Sequence, residues 1–168
     1  MYLLDTNVIS ELRKIRAGRA APQVAKWAES VDAGDLYISV ITVQELEIGV
    51  LLAERRDPTQ GAVLRAWLVE RALPAFAGRI LDVDSTVAQR SARLHVPNPR
   101  PVRDGLIAAT ALVHNMTVVT RNVADFSPMG VVLINPWAWS ALLASGAGAS
   151  EDFMAGVDDL PVQERLMK

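Results

Sequence analysis

The chain has 168 residues (18.2 kDa), of which 51% are hydrophobic and 21% charged, with a mean hydropathy of +0.20 and a net charge of −2. A chain of this size is expected to form one domain burying roughly 70% of its unfolded surface. It has no run near the roughly 20 apolar residues that cross a bilayer and no basic-then-apolar leader, so the expected compartment is the cytoplasm, without a membrane partner. The lack of cysteine excludes a disulfide framework, a thiolate zinc site and a cysteine nucleophile, and the pI of about 5.7 speaks against a non-specific nucleic-acid coat while leaving room for local basic patches.

In chain order, YLLD (2–5) predicts a strand and NVISELRK (7–14) a short helix. PQVAKWAESVD (22–32) opens with a proline suited to a first helical position and predicts a second helix. LYISVI (36–41) follows as a strand, and TVQELEIGVLLAERRD (42–57) as a helix opening at Thr42 and stopped by Asp57-Pro58. Residues 58–73 predict another helix, RILDV (79–83) a strand, and STVAQRSARLH (85–95) a helix capped by Asp84 or Ser85. VPNPRPV (96–102) holds three of the nine prolines and is a loop. RDGLIAATALVHN (103–115) is a helix with Asn115 as its stop, MTVVT (116–120) a strand, RNVADFSPMG a loop and VVLI (131–134) the last strand.

Strands separated by helices require crossover connections and a parallel sheet covered on both faces. The expected fold class is therefore α/β, a three-layer α/β/α sandwich with a central parallel sheet of about five strands. Residues 1–139 form the expected domain. SALLASGAGAS (140–150) has the composition of a tether, and EDFMAGVDDLPVQERLMK (151–168) is a separate tail.

In open parallel sheets the working groups lie outside the C-terminal ends of the strands. Sorted by that rule, Asp5 ends the first strand, Glu45 lies in the first turn after the second, Asp104 opens the helix leading to the fourth, and Asp125 lies in the loop beyond it. Each has a local explanation. Asp5 caps a helix, Thr42 to Glu45 matches a capping box, Asp104 gains from a helix macrodipole, and Asp125 fits an Asx-turn. Taken together they suggest something else. Two carboxylates about 4 Å apart repel by about 4 kcal/mol at an effective dielectric of 20, so a cluster holds protons or a cation. Hard oxygen donors without cysteine or a nearby histidine suit Mg²⁺ or Mn²⁺, which would polarise a phosphoryl oxygen and generate hydroxide.

LLDTNVISEL, ISVITVQELEIGV, RDGLIAATALVHNMTVVTRNVADF and the closing INPW resemble the PIN-domain ribonucleases, above all the VapC toxins of toxin–antitoxin systems. PAFAGRIL (74–81) points to the branch with the FitB-like proteins, and the resemblance covers about residues 1–137. It implies a Mg²⁺- or Mn²⁺-dependent endoribonuclease acting on RNA, a cognate antitoxin through which DNA is contacted, and a homodimer. It also implies that Asp5, Glu45 and Asp104 are catalytic and hold the metal. Some relatives place their fourth acid where this chain has Asn122 and others use the acid that is Asp125 here, which makes Asp125 the fourth catalytic candidate. Thr6 and Asn7, with Thr120 and Asn122 opposite, would orient the first carboxylate or a bound water.

Arg103 and Arg121 adjoin these acids and are the candidate contacts to substrate phosphates. Arg13, Lys14, Arg16, Arg19 and Arg100 are candidates for the same role or for a solvated face. Neither His95 nor His114 suggests a base or ligand. Trp27 and Trp67 suggest packing, and the apolar surplus on helix 42–56 suggests self-association. The tail resembles the inhibitory segment of an antitoxin, with Phe153 and Met154 as anchor and Arg165 as the residue brought to the acids; a tail without function is the alternative. Two other functions remain in view. One is a PIN scaffold with little catalysis that strengthens an antitoxin's hold on DNA. The other is a haloacid-dehalogenase-like phosphatase, which would want an aspartate where Asn7 stands.

Overall fold

The computed structural model describes residues 1–139; the expected tether and tail lie outside the described residues. Five short apolar runs pair into one parallel sheet: β1 (Tyr2–Leu4), β2 (Leu36–Ser39), β3 (Ile80–Leu81), β4 (Thr117–Val119) and β5 (Leu133–Ile134). Their order across the sheet is β3-β2-β1-β4-β5, with β1 at the centre. The helices are α1 (Thr6–Leu12), α2 (Pro22–Glu29), α3 (Val40–Arg56), α4 (Pro58–Trp67), α5 (Leu73–Ala75), α6 (Ser85–Leu94), α7 (Val102–His114) and α8 (Val123–Phe126).

A strand buried on both faces needs apolar residues at successive positions, and Leu3 and Leu4 are both 0% exposed. Leu4 belongs to the core under α1 to α4, with Val8, Trp27, Val50 and Leu68. Leu3 belongs to the opposite core, with Ile107 and Ala111 of α7 and Phe126 of α8. Two helical layers thus enclose the sheet, as the alternation of elements implied. Trp27 is a core residue, fully buried and edge-on to Tyr2 at 6.0 Å.

Several boundaries differ from expectation. Helix α3 begins at Val40 because Ser39, not Thr42, caps it: the Ser39 hydroxyl accepts the Ile41 amide at 3.1 Å. The Thr42 hydroxyl instead donates to the Leu4 carbonyl at 3.3 Å, tying α3 to the end of β1. The single helix expected over 58–73 is divided into α4, a π-helical segment (Leu68–Ala72) and α5. Pro74 has no N–H to return to the preceding turn, and a widened turn tolerates that gap. The loop expected over 121–130 contains α8 and a 3₁₀ turn, both too short to show a period.

Other details follow local chemistry. Asp57 caps α4 through the Thr59 and Gln60 amides, Asp84 caps α6 through the Val87 amide, and Asn115 closes α7 in the left-handed conformation. Arg79, in the PAFAGRIL run, donates to the carbonyls of Ala33, Leu36 and Ala75, pinning the entry to β3. The His95 Nδ1 accepts the Arg100 amide at 3.2 Å, which folds the proline-rich loop against the start of α7.

Helices α3 and α4 approach closely at Gly61, where an added Cβ would lie 2.3 Å from the Glu54 Cα. Backbone cannot yield as a side-chain tip can. Gly61→Ala is therefore expected to cost about 3 kcal/mol, read as a lower urea midpoint with an unchanged slope.

Candidate active site

From β1 the chain builds outward through β2 to β3, then crosses back to place β4 on the other side of β1. Such a reversal opens a crevice at the carboxyl ends of the two central strands. Asp5 follows β1 and Thr120 follows β4, so both stand at that crevice.

Asp5 is 5% exposed, and its carboxylate is held from three directions. It accepts the Thr6 amide at 2.8 Å, the Asn7 Nδ2 at 2.7 Å and the Thr120 hydroxyl at 2.6 Å. It therefore also caps α1, and the two readings of this residue are compatible. Burial pushes its pKa up, the Thr120, Thr6 and Asn7 hydrogen bonds pull it down, and the charge of Asp125 adds a smaller upward push. The Thr120 hydroxyl in turn accepts the Asn122 amide at 2.9 Å and the Asn7 Nδ2 at 3.2 Å. The Asn7 Oδ1 accepts the Arg121 amide at 3.2 Å. The turns after β1 and β4 are thus laced together around one carboxylate.

Glu45 does not make the capping-box bond to Thr42. One turn inside α3, its Oε2 accepts the Thr6 hydroxyl, which brings a second carboxylate to the first. Asp104 lies in the first turn of α7, half-buried, with its pKa pushed up to about 6. Burial is the largest cause, followed by the charges of Asp5, Asp125 and Glu45. Asp125 lies exposed on α8, and its negative charge is felt by both Asp5 and Asp104. All four acids thus share one electrostatic neighbourhood. Among the described residues no three acidic or imidazole groups are close enough to form a ready-made metal cage.

Arg103 comes within 3.9 Å of the Glu45 Oε1, and the Arg121 guanidinium lies over the Trp137 ring at 5.5 Å. Both line a cleft of about 710 Å³ that holds Asp5, Glu45 and Asp104 and extends along α1 and α3 to Trp67. Lys14 is paired with Glu11 at 3.0 Å, and Arg13 is stacked on Trp67 at 5.3 Å. Sequence reasoning gave no site role to Trp137, Trp67 or Glu11. The INPW run was the available signal for Trp137.

Residues 2–128 match the PIN domain family. The chain belongs to that family. Toxin FitB of Neisseria gonorrhoeae is 39% identical over 142 residues, which span 82% of this chain and 99% of the relative. A VapC ribonuclease of Sinorhizobium fredii is 38% identical over 142 residues, spanning 82% of this chain and 98% of the relative. A solved structure of FitAB bound to a DNA fragment superposes with a TM-score of 0.74 at 38% identity, covering 83% of this chain and 98% of that one. This PIN domain therefore has the expected sandwich and the expected FitB-like affinity. No helix among its described residues is long and apolar enough to cross a membrane.

Proposed function

We propose that the chain is the toxin of a toxin–antitoxin pair and a metal-dependent endoribonuclease. The observation that carries this reading is the acidic crevice itself. Asp5 and Asp104 reach one cleft from elements about a hundred residues apart, and Asp104 carries a pKa pushed up to about 6 by burial and by Asp5, Asp125 and Glu45. Without a counter-charge such an arrangement costs stability, and structural caps have no need of it. The PIN-domain match and the likeness to a VapC ribonuclease support the same activity.

The donor chemistry fits a hard divalent cation, Mg²⁺ or Mn²⁺, held by Asp5 and Asp104 with Glu45 beside them. When bound, the ion would polarise the scissile phosphoryl oxygen and lower the pKa of a water. The residues of the chain do the rest. Thr6, Asn7 and Thr120 fix the direction in which Asp5 presents its remaining lone pairs. Arg103 and Arg121 offer positive charge at the rim for the flanking RNA phosphates. Asp125 supplies the fourth acidic charge, which both Asp5 and Asp104 feel.

The partner is an antitoxin through which the pair reaches DNA, a reading supported by the likeness to FitAB bound to DNA. The exposed Leu51 and Leu52 on α3 and Val69 beyond α4 support a homodimer. Cleavage of total and structured RNA, with Mn²⁺, with EDTA and with Asp5→Asn, tests the enzyme. Metal-dependent cutting absent from the variant is expected. Equal cutting by both proteins would remove the acids from the mechanism.

A further inference from the structure

Two carboxylates of the cleft are held in different ways. Asp5 has three donors, whereas among the described residues no hydrogen bond holds the Asp104 carboxylate. A carboxylate at the third position of a helix can reach back to the amide of the N-cap residue. Here that residue is Pro101, which has no N–H, so Asp104 is not drawn into capping its own helix. Its direction is therefore set by where the first turn of α7 stands.

That turn is fixed from behind by His95, the residue that closes α6. The His95 Nδ1 accepts the Arg100 amide at 3.2 Å, so the neutral ring carries its proton on Nε2. The Nε2 edge lies against α7, where a Cβ on Gly105 would stand 2.9 Å from Nε2 and 3.5 Å from the Ser91 Oγ. Gly105 follows Asp104 in the chain and is buried. Its amide donates to the Pro101 carbonyl at 2.9 Å, the bond that closes the first turn. One imidazole thus acts on both sides of that turn. One nitrogen fastens the loop that leads into it, and the other edge packs on the residue after Asp104. Helix α7 has no side-chain cap of its own, and this clamp takes the place of one.

We infer that His95 is a positioning residue for Asp104: by joining the 96–101 loop to the start of α7, it sets where that carboxylate stands in the cleft. His95 itself does not line the cleft. The consequence for a bound cation rests on the metal-dependent function proposed above, whereas the placement of Asp104 does not.

Asparagine and glutamine separate the two edges of the ring. Asparagine can place its Oδ1 where Nδ1 accepts, while glutamine places its amide near Nε2 and leaves the Arg100 amide unpaired. In the metal-free full chain, His95→Gln is expected to speed exchange of the Gly105 amide about tenfold, while amides in the middle of α7 keep their rates. It should also shift the carboxyl carbon resonance of Asp104. Mn²⁺ binding, read from the free-ion signal in electron paramagnetic resonance, should weaken about tenfold. His95→Asn should restore all three. Gly105→Ala should weaken Mn²⁺ binding in the native background and much less beside His95→Asn, whose shorter side chain vacates the space. If His95→Gln does not fold, this pair carries the same comparison. Equal changes in the asparagine and glutamine variants overturn the inference in favour of simple ring packing. Faster Gly105 exchange with an unmoved Asp104 resonance and unchanged Mn²⁺ binding also overturns it, since the clamp would then not reach the carboxylate. A native chain that binds no Mn²⁺ defeats the metal reading alone, because the two metal-free readouts still decide for or against His95.

Discussion

Asp104→Asn is expected to reduce RNA cleavage by a factor on the order of a hundred to a thousand while removing a pH-dependent weakness from the metal-free fold. The first effect follows from losing one of the three carboxylates, Asp5, Glu45 and Asp104, that line the crevice. The second follows from its pKa, which is raised from 3.8 to about 6 in the folded protein. Between those values the folded state binds more protons than the unfolded state, so stability falls as pH rises through the window and stays lower above it. Because Asp104 is only half-buried, solvent screening reduces the effect to about 1 kcal/mol. That corresponds to a drop of about 3 °C in melting temperature. In EDTA, the native protein should lose this increment as pH rises from about 4 to about 6, and the variant should not. Adding Mn²⁺ should raise the melting temperature of the native chain more than that of the variant. Parallel pH profiles with no difference in the metal response would place Asp104 outside the site.

Thr120→Val is the second large effect. The hydroxyl donates to Asp5 at 2.6 Å and accepts the Asn122 amide at 2.9 Å. Valine keeps the shape and removes both functions. The Asp5 carboxylate loses one of three donors, and a backbone amide loses its acceptor, costing roughly 1–3 kcal/mol in stability. Activity should fall about 10- to 100-fold, as when an outer partner of a metal ligand is removed. Thr120→Ser, which keeps the hydroxyl, should recover most of it. Equal loss with serine would mean that packing of the methyl, and not orientation of Asp5, is what Thr120 contributes. Apparent Mn²⁺ affinity, titrated through activity, should weaken in the valine variant and recover in the serine variant.

These expectations rest on contacts that were unequally legible in the chain. Local signals worked where one residue settles the outcome. Asp57 before Pro58, Asp84 before its helix and Asn115 after another each mark a boundary that the backbone obeys. They failed where two residues compete. Ser39 and Thr42 are both good caps, but the Thr42 hydroxyl is engaged with the Leu4 carbonyl while Ser39 accepts the Ile41 amide. They failed again at residues 68–75, where a proline inside an apolar period is absorbed by a π turn.

The sequence by itself determined that this is an α/β domain and which acids stand at strand ends, because hydrophobic period and chain punctuation are properties of neighbouring residues. Motif order then pointed to the family that the comparisons show. What only the tertiary structure decided is which groups meet. Thr120 reaches Asp5 from 115 residues away, and Thr6 reaches Glu45 from 39 residues away. Arg13, which caps the end of α1, stacks on Trp67 at the end of α4 from 54 residues away. Many strand orders satisfy the same hydrophobic pattern. One of them, with β4 beside β1, puts a threonine hydroxyl against the first aspartate and makes the crevice.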